Sequence, residues 1–501
     1  MNKFKVLFIY PNLMLQTSFP LAISIFSAIL KNNDYATDIF DTTFYKTEEV
    51  SSDERRVENL QITRFNIDQE LKKLKSKDQM SYDLNQKIRE FQPNLIAFAI
   101  LEDLYPLTLK LLEVTKHFGI ITIAGGLFPT FAPEKVIKKD GIDIVCVGEG
   151  EESLLELCNK LRNGENYANI PNLWVKKNGN IYKNGIRKLR DLNLNPPPDF
   201  SLFDERRFYK PMKGKVYRMG LVETNRGCPF TCRFCNSYAQ SQLYRKNGDG
   251  SYFRLRSIDV IESELKILVE KYKVEFIYFP AEVLLFMSKN YMKEFAKMYK
   301  KFHLPFFCQN RAEVLNEETV KLLEEMNCHS CAIGLEHGNE EFRIKMLNRK
   351  VSNNTYLHAA KCLSKTNIKV SVNNIIGFPD ETRDLVFDTI NLNRILSKKF
   401  NVYQINAYYY TPYHGTELRQ YCVEKGYISE DAQTTYIVNN TILNMPHFTS
   451  DEIRGLVRAF TLYARFPKSR YREIAIAERF DEKGNQKFEE LQHEYWNNYL
   501  R

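Results

Sequence analysis

No run of about eighteen apolar residues occurs in this 501-residue sequence, and a membrane-spanning helix needs about 20 such residues. We therefore expect no membrane span. The apolar stretch near the N-terminus is short, ends at Pro11-Asn12 and has no small-residue cleavage site behind it, which favours a strand over a signal peptide. The ten cysteines lack the paired spacing of a disulfide framework. This indicates a reducing compartment, and we expect a cytoplasmic protein.

A strong charge bias is also missing. The sequence has 71 Lys and Arg against 62 Asp and Glu, a net charge of +9, and the basic residues are spread among acidic and amide residues. We interpret them as a solvated surface and expect no nucleic-acid partner. One local basic run, 206–215, falls in a predicted linker and is a candidate docking site for an acidic electron donor. The length predicts two or three domains.

Three cysteines stand close together in the middle of the chain. Cys228, Cys232 and Cys235 are separated by three and then two residues. A tetrahedral zinc site or a closed 4Fe–4S cluster needs four ligands, and neither a histidine nor a fourth cysteine is nearby in the sequence. Three thiolates leave one iron of a cubane open for chemistry. The alternatives are half a zinc knuckle or three unrelated structural cysteines.

The surrounding stretch, 223–236, reads Glu-Thr-Asn-Arg-Gly-Cys-Pro-Phe-Thr-Cys-Arg-Phe-Cys-Asn. It resembles the cluster-binding loop of the radical S-adenosylmethionine (radical SAM) superfamily. The resemblance implies a 4Fe–4S cluster whose metal ligands, and catalytic residues, are Cys228, Cys232 and Cys235. It also implies SAM as a second cofactor, with its methionine part on the open iron and the backbone of Phe234 near its adenine.

Strand and helix patterns alternate after the cysteine loop. Strands are predicted at 216–225, 276–279, 305–308, 332–335, 369–376 and 403–410, and helices at 258–272, 317–326 and 354–365. Six strand–helix repeats predict a partial (β/α)₆ barrel of the TIM type. The cysteine loop follows the first of these strands, at the carboxyl end where parallel barrels place their active sites.

Polar residues at the strand ends supply the remaining candidates for SAM binding. The resemblance implies contacts from Phe234, Glu282, Arg311, Glu336, Arg349 and Gly377. A guanidinium suits the carboxylate of SAM, and a carboxylate suits its ammonium group or hydroxyls. Related sequences often have two acidic residues after the second barrel strand, whereas Ala281-Glu282 retains one. The alternative for Glu336 and Arg349 is a surface ion pair.

The N-terminal third also alternates between strands and helices. Strands are predicted at 5–10, 37–40, 94–100, 120–124 and 142–147, and helices at 21–30, 107–118, 133–139 and 153–161. This order predicts an α/β, Rossmann-like, doubly wound parallel sheet. Residues 46–90 are charged and poor in β-branched types, so we expect a helical insert there. A hairpin is predicted at about 170–185.

Two glycine-bearing loops lie at predicted strand ends of this sheet: Gly125-Gly126 with Pro129-Thr130, and 148–151. No Gly-x-Gly-x-x-Gly follows the first strand, so the dinucleotide fingerprint is missing. The loops instead resemble the cobalamin-binding domain found in front of many radical SAM enzymes. The resemblance implies that cobalamin is bound by Pro11, Asn12, Leu101, Glu102, Gly125, Gly126, Pro129, Thr130, Glu149, Gly150 and Glu151.

One feature of many cobalamin domains, an Asp-x-His-x-x-Gly motif whose histidine ligates cobalt, is missing after the first strand. Cobalt would then have no histidine ligand, and Leu101 or Glu102 would be the side chains nearest its lower axial face. The alternative is a Rossmann-like domain that keeps the fold without the cofactor.

The expected organisation is a cobalamin-binding domain at 1–190, a linker at 191–214, a radical SAM core at 215–425 and a helical C-terminal cap at 426–501. The cap has helices predicted at 451–463 and 487–500 and no cysteine, which argues against an auxiliary cluster. Cys328 and Cys331 fit burial as small apolar residues better than a redox pair. His337, His358 and His414 are candidate bases, although each is as well explained by a structural role.

The resemblance implies an enzyme that cleaves SAM to a 5′-deoxyadenosyl radical, as a C-methyltransferase acting on an unactivated carbon of a small-molecule or natural-product substrate. A flavodoxin- or ferredoxin-type protein would supply the electron. Rearrangement, cyclisation or oxidation without methyl transfer is the alternative. A tRNA methylthiotransferase would need a second three-cysteine cluster and a basic RNA-binding module, and neither is visible. A non-catalytic scaffold that retains a relic loop is a third class.

Overall fold

The computed structural model describes residues 3–400 and 402–499. An N-terminal sheet has the strand order β2-β1-β3-β4-β5-β6-β7. Its strands are β1 (Lys5–Tyr10), β2 (Ala36–Asp41), β3 (Leu95–Ala99), β4 (Thr122–Gly125), β5 (Ile144–Cys146), β6 (Leu173–Lys177) and β7 (Asn180–Lys183). Its helices are α1 (Leu21–Asn32), α2 (Ser52–Glu58), α3 (Gln79–Phe91), α4 (Tyr105–Thr115), α5 (Leu127–Phe131), α6 (Pro133–Ile137) and α7 (Glu151–Arg162).

Strands β1 to β5 pair in parallel, which confirms the predicted parallel α/β sheet. Helices on both faces bury these strands, so each is a short apolar run. The hairpin β6–β7 extends the same sheet in antiparallel orientation, so the sheet is mixed and not wholly parallel.

The expected helical insert at 46–90 is only partly helical. Helix α2 has only seven residues. Helix α3 belongs to the connection between β2 and β3 and is part of the α/β sheet domain itself. It buries Met80, Leu84 and Ile88, which recur at helical spacing and form the apolar stripe by which a helix covers a sheet. The remainder of 46–78 consists mostly of loops and turns, because its charged composition offers no such stripe.

The second sheet has the order β16-β15-β14-β13-β12-β9-β8. Its strands are β8 (Tyr209–Met212), β9 (Lys215–Leu221), β12 (Phe276–Tyr278), β13 (Phe306–Asn310), β14 (Cys328–Glu336), β15 (Lys369–Ile376) and β16 (Gln404–Tyr409); β10 (Asn225–Arg226) and β11 (Arg254–Leu255) form a separate ribbon. From β9 to β16 this sheet is parallel. The predicted partial (β/α)₆ barrel is confirmed, with β8 added antiparallel at one edge.

The barrel helices are α8 (Asn236–Lys246), α9 (Ile258–Glu270), α10 (Lys289–Tyr299), α11 (Glu317–Glu325), α12 (Glu340–Lys345), α13 (Asn353–Leu363) and α14 (Arg383–Phe400). The C-terminal helices are α15 (Glu417–Glu424), α16 (Ser450–Arg465), α17 (Tyr471–Ala477) and α18 (Glu482–Asn498). Helix α16 packs on α14 and β16, on the outside of the barrel. The predicted last residue of α18, Leu500, lies outside the described residues. Within the described part of the chain, every helix is too short or too polar to cross a membrane.

The open side of the barrel, between β16 and β8, is covered by the segment that follows α2. Gln61 Nε2 donates to the Ala407 carbonyl at 2.6 Å, and the Thr63 and Tyr403 hydroxyls lie 3.1 Å apart. These bonds occupy the free edge of β16, which would otherwise be exposed for pairing with another strand. The N-terminal domain therefore closes the half-barrel laterally.

The basic run at 206–215, expected in a linker, instead forms β8 and the start of β9. Arg207 and Lys210 are buried, and Arg207 donates to the Asp41 carboxylate at 2.6 Å. The sequence alone suggests that this run is exposed to solvent, because the residues that bury it, such as Asp41, are distant in the chain. It was therefore wrong to treat the whole run as a docking surface for an electron donor.

Candidate active site

The cysteine loop lies at the carboxyl end of β9. Its backbone turns at Gly227, where φ is +85° and a Cβ would lie 2.6 Å from the Tyr252 ring, so only glycine fits. Helix α8 begins directly after Cys235, whose N–H donates to the Cys232 carbonyl at 3.1 Å. All three cysteines line one cavity of about 340 Å³ at the barrel mouth.

The three thiols come from one loop and border the same cavity. No group of three His, Cys, Asp or Glu side chains in the described chain is gathered tightly enough for a single metal ion. Burial raises the pKa of Cys228 to about 12 and of Cys235 to about 11. The thiolates that a cluster requires are therefore favoured only when a cationic group binds them.

Five of the six residues predicted for SAM binding line the same cavity: Phe234, Glu282, Arg311, Glu336 and Arg349. Phe234 lies in the loop that leads into α8. Glu282, Arg311 and Glu336 follow or end β12, β13 and β14, and Arg349 lies in the loop between α12 and α13. Gly377, the sixth, lies outside it, where φ is +90° and its N–H donates to Glu381 Oε2 at 2.5 Å. Gly377 therefore shapes the turn after β15.

Opposite charges lie next to the cysteines. Arg311 donates to Cys232 Sγ at 3.2 Å, and Arg349 lies 3.8 Å from the Glu336 carboxylate. Both members of that pair are buried, with side chains 5% and 15% exposed, which excludes the surface ion pair. Burial raises the pKa of Glu336, and the two guanidinium groups oppose this increase. Glu336 also has a left-handed φ of +65°, and such strain in non-glycine residues clusters at functional sites.

Glu282 is the single carboxylate after β12. It accepts a hydrogen bond from the Ser237 hydroxyl at 2.7 Å, which connects β12's loop to the first turn of α8. Ala281 is buried and supplies no polar group. The side chain of Glu282 is thereby held at the edge of the cysteine cavity.

A second cavity, of about 310 Å³, lies at the carboxyl ends of β1, β3, β4 and β5. Parallel α/β sheets bind their ligands in this crevice. Of the residues predicted for cobalamin, Gly125, Gly126, Thr130, Glu149, Gly150 and Glu151 line it. Pro11, Asn12, Leu101, Glu102 and Pro129 lie outside it; Asn12 instead bonds Thr42 and Thr43, and Leu101 is 38% exposed.

Two glycines in this cavity have no substitute. At Gly126, φ is +121° and a Cβ would lie 2.5 Å from the Ile100 carbonyl. At Gly148, φ is +84° and a Cβ would lie 2.5 Å from the Tyr244 hydroxyl. These positions let the loops after β4 and β5 pack closely while leaving the space between them open.

The barrel also contributes to the second cavity, through Glu223, Arg226, Gln240 and Tyr252. Sequence reasoning missed these residues. Arg226 donates to Glu151 at 2.6 Å and pairs with Glu223 at 2.9 Å. Glu223 and Arg226 stand within the cysteine stretch itself, so they could have been considered. The other partners of Arg226, Glu149 and Glu151, are distant in the sequence, so its role was not visible there.

Glu102, expected near the lower face of cobalt, contacts the barrel. It accepts from the His414 backbone N–H at 2.9 Å, lies 2.7 Å from His414 Nδ1 and 3.4 Å from Arg419. All three side chains are largely buried. His414 thus joins the two domains.

The other candidate bases and thiols lie away from both cavities. His337 Nε2 is 3.0 Å from Glu381 Oε1, and both side chains are fully buried. Cys328 Sγ lies 4.0 Å from Cys308 Sγ, and Cys331 is buried beside them. The three cysteines belong to the apolar core, on the face of the sheet opposite the barrel cavity.

Each of the two cavities lies in a part of the chain that matches a known protein family. Residues 222–392 match the family model of the radical SAM superfamily, and residues 60–158 match that of the B12 binding domain. An uncharacterized methyltransferase of Pyrococcus horikoshii is 26% identical over 398 residues, which are 78% of this chain and 83% of the relative.

Two solved structures share the whole architecture. The radical S-adenosylmethionine methyltransferase TsrM of Kitasatospora setae, with cobalamin and a 4Fe–4S cluster, superposes with a TM-score of 0.66 at 13% identity, covering 100% of both chains. The cobalamin-dependent S-adenosylmethionine radical enzyme OxsB, with aqua-cobalamin and S-adenosylmethionine, has a TM-score of 0.66 at 14% identity, covering 99% of this chain and 71% of that chain. At 13% and 14% identity, the similarity to these two structures shows a shared fold and nothing more.

Proposed function

Because the chain combines a radical SAM domain with a B12 binding domain, we propose that it is a cobalamin-dependent radical SAM methyltransferase that acts on a carbon of a small molecule. The names of the Pyrococcus horikoshii relative and of TsrM, both methyltransferases, support methyl transfer over the alternative of rearrangement or oxidation. The two cofactor domains belong to one enzyme, so both must reach a common substrate.

One observation carries this proposal. The stretch 223–240 separates the two cavities and lines both of them. Its cysteines face the cavity at the barrel mouth, whereas Arg226 and Gln240, on either side of them, face the cavity of the N-terminal sheet. Groups bound in the two cavities would therefore be neighbours, as a two-cofactor reaction requires.

We assign Cys228, Cys232 and Cys235 to the cluster, and Phe234, Glu282, Arg311, Glu336 and Arg349 to SAM. When bound, a reduced 4Fe–4S cluster with SAM supplies a 5′-deoxyadenosyl radical that removes hydrogen from the substrate. The residues bind and orient the reactants. The Arg311 and Arg349 guanidiniums attract the carboxylate of SAM, and Glu336 attracts its ammonium group.

We assign the second cavity to cobalamin, with Gly125, Gly126, Thr130 and 149–151 as its binding residues. The cavity is mostly apolar and lies where such sheets bind ligands, and its volume would hold part of so large a molecule. When bound, cobalamin supplies the methyl group that is transferred. The residues of the cavity exclude water from it and fix its position against the barrel.

The free cysteines also bear on where the protein works and what reduces it. We propose a cytoplasmic protein because all ten cysteines are free thiols, which requires a reducing compartment. We also propose a flavodoxin- or ferredoxin-type electron donor. It would approach a face other than β8, because Arg207 and Lys210 are buried there.

Anaerobic reconstitution with iron, sulfide and hydroxocobalamin tests the function. The expected result is bound iron, a cobalamin absorption band and release of 5′-deoxyadenosine from SAM under reducing conditions. Incubation with methyl-labelled SAM and a panel of small molecules should move the label into product. A protein that loads iron without any cobalamin band would overturn the proposal.

Matched cysteine variants give the control. Cys232→Ala should lose the iron and the release of 5′-deoxyadenosine. Cys362→Ala changes a buried thiol on α13, outside both cavities, and should retain both. If Cys232→Ala keeps full activity, the loop is a relic and the chain is a scaffold.

A further inference from the structure

A third cavity, of about 300 Å³, lies inside the barrel next to the cysteine cavity. The two cavities share Gln309, Asn373 and Tyr408 as lining residues. Successive inward positions of a strand are two residues apart, so Ile375 faces the cysteine cavity while Ser371 faces the third cavity. The third cavity therefore continues the first one down the barrel.

The lining of this cavity is partly polar, unlike a packed barrel interior. Closed parallel barrels fill their interior with branched apolar side chains. Here the inward positions of β15 and β16 include Asn373, Gln404 and Asn406. They form a hydrogen-bonded row: Gln404 Nε2 donates to Asn406 Oδ1, and Asn406 Nδ2 donates to Asn373 Oδ1, each at 2.8 Å. Such a row remains open to a ligand.

Two lysines line the cavity, Lys210 from β8 and Lys213 from the turn between β8 and β9. Lys213 donates to Gln404 Oε1 at 2.9 Å and also to the Ser371 hydroxyl. Lys210 is 7% exposed. Its Nζ lies 5.1 Å from the centre of the Phe19 ring and has no hydrogen-bond partner among the described residues. A ring face does not replace a hydrogen-bond acceptor, and a buried ammonium that lacks one is costly, so we expect an acceptor to bind it.

The remaining charges in the cavity do not compensate these lysines. Arg56 and Asp53 both line it, and they pair with each other at 3.4 Å. The lining thus carries an excess of positive charge. Burial lowers the pKa of both Lys210 and Lys213 to about 7, which is the effect expected of ammonium groups that lack a counter-ion.

We propose that this cavity binds an oxyanionic group of the substrate, a carboxylate or a phosphate, through Lys210 and Lys213. The inference rests on the proposed function for the identity of the ligand as substrate. An anion held between the lysines would direct the rest of the molecule past the amide row towards the cysteines. The substrate class is therefore a small organic anion, with its charged group distant from the carbon that reacts.

The test measures the reactivity of the lysines in the reconstituted, anaerobic protein. Reductive methylation with formaldehyde modifies neutral amines, and mass spectrometry quantifies each site. Inorganic phosphate or acetate, at about ten times its Kd, should slow the modification of Lys210 and Lys213 about tenfold. Chloride at the same ionic strength should not. Lys215 is exposed on the same hairpin and should react equally in every buffer.

The two anions distinguish a phosphorylated substrate from a carboxylic acid. Protection by phosphate alone indicates a phosphorylated substrate, and protection by acetate alone indicates a carboxylic acid. Protection of neither lysine, in protein that has loaded iron and cobalamin and releases 5′-deoxyadenosine, overturns this inference and leaves the proposed function in place. Protection in protein that loads no cobalamin supports the anion site and overturns the function.

A pair of variants checks the site independently. Lys210→Met should abolish the increase in Tm that the protecting anion produces, whereas Lys215→Met should retain it. An equal increase in Lys210→Met and in the unmodified protein would also overturn the inference.

Discussion

The Arg226 guanidinium donates to the Glu151 carboxylate at 2.6 Å and thereby joins the cysteine stretch to the N-terminal sheet. Both side chains are largely buried, at 17% and 6% exposure. Arg226 also pairs with Glu149 and Glu223. One cation beside the cluster loop thus contacts three carboxylates at the domain interface, and Arg254 pairs with one of them, Glu149.

Replacement of Arg226 by methionine should destabilise the protein. Methionine has about the volume of arginine, but it cannot pair with a carboxylate. The buried Glu149 and Glu151 would each lose their ion pair with Arg226. We expect a loss of about 3–5 kcal/mol in the free energy of unfolding, measured by urea denaturation. Arg187→Met removes a half-exposed arginine paired with Glu156, and should cost about 1 kcal/mol or less. Equal losses in the two variants would contradict the interface role.

The same variant should change how stability depends on pH. Burial alone raises the pKa of Glu151, and Arg226 more than offsets this, so that the pKa lies below its ordinary value of 4.5. A folded-state pKa below the unfolded one stabilises the protein above pH 4.5, and this contribution is lost as the pH falls through the folded value. In Arg226→Met this lowering is lost, so burial raises the pKa of Glu151 above its ordinary value. Ionised Glu151 then destabilises the folded protein. The stability difference between the two proteins should therefore grow as the pH rises through 4.5.

Gly148→Ala should weaken cobalamin binding specifically. The added Cβ would lie 2.5 Å from the Tyr244 hydroxyl, at a φ of +84°. That hydroxyl accepts the Glu149 N–H at 2.7 Å, so the collision displaces the loop that lines the cavity. We expect a cost of about 1–3 kcal/mol, with less cobalamin retained on gel filtration and iron content unchanged.

A second glycine provides the control for that change. Gly164 also has a left-handed φ, of +68°, but a Cβ there meets nothing within 4 Å. Gly164→Ala therefore introduces backbone strain alone, of about 1 kcal/mol, and should retain cobalamin fully. Equal loss of cobalamin from both alanine variants would show that general destabilisation, and not the cavity, is responsible.

Much of the fold follows from short stretches of sequence. The predicted bounds of β1 and β15 are those observed, at Lys5–Tyr10 and Lys369–Ile376. Strands buried on both faces appear as continuous apolar runs, which local patterns reveal. Once the strands are known to be parallel, their carboxyl ends meet at one edge. This is why the cysteines, Arg311 and Glu336 were predicted together and lie in one cavity.

The barrel interior could not be predicted in the same way. The alternation of Gln404, Asn406 and Tyr408 along β16 is visible in the sequence. It does not reveal whether the polar face meets solvent or an enclosed cavity, because that depends on the segment after α2. Likewise Lys210 belongs to a run that is basic locally, and only the pairing of β8 with β9 buries it.

Arg311→Met should alter the cluster without removing it. Arg311 donates to Cys232 Sγ at 3.2 Å, and hydrogen bonds to the sulfurs help set the reduction potential of a cluster. Loss of this cation disfavours the added electron, so the potential should fall. Loss of a charged hydrogen bond of about 1.5–3 kcal/mol should also weaken SAM binding roughly 10- to 100-fold. Redox titration followed by electron paramagnetic resonance and equilibrium dialysis measure the two effects.

The conservative variant separates charge from geometry at this position. Arg311→Lys keeps the positive charge but loses the planar fork of donors. Its reduction potential should lie nearer that of the unmodified protein, while SAM binding stays weakened. An unchanged potential in Arg311→Met, with full iron content, would be inconsistent with a role for Arg311 at the cluster.

Glu102→Gln distinguishes a structural carboxylate from one beneath cobalt. In the structure Glu102 accepts the His414 N–H and faces Arg419, so it is directed at the barrel. Glutamine keeps the shape but removes the charge that balances Arg419, which should cost about 1–3 kcal/mol of stability. The visible spectrum of bound cobalamin should not change. Glu149→Gln, a matched change inside the cobalamin cavity, should reduce cobalamin retention. A shifted spectrum in Glu102→Gln would instead place that side chain at the lower axial face.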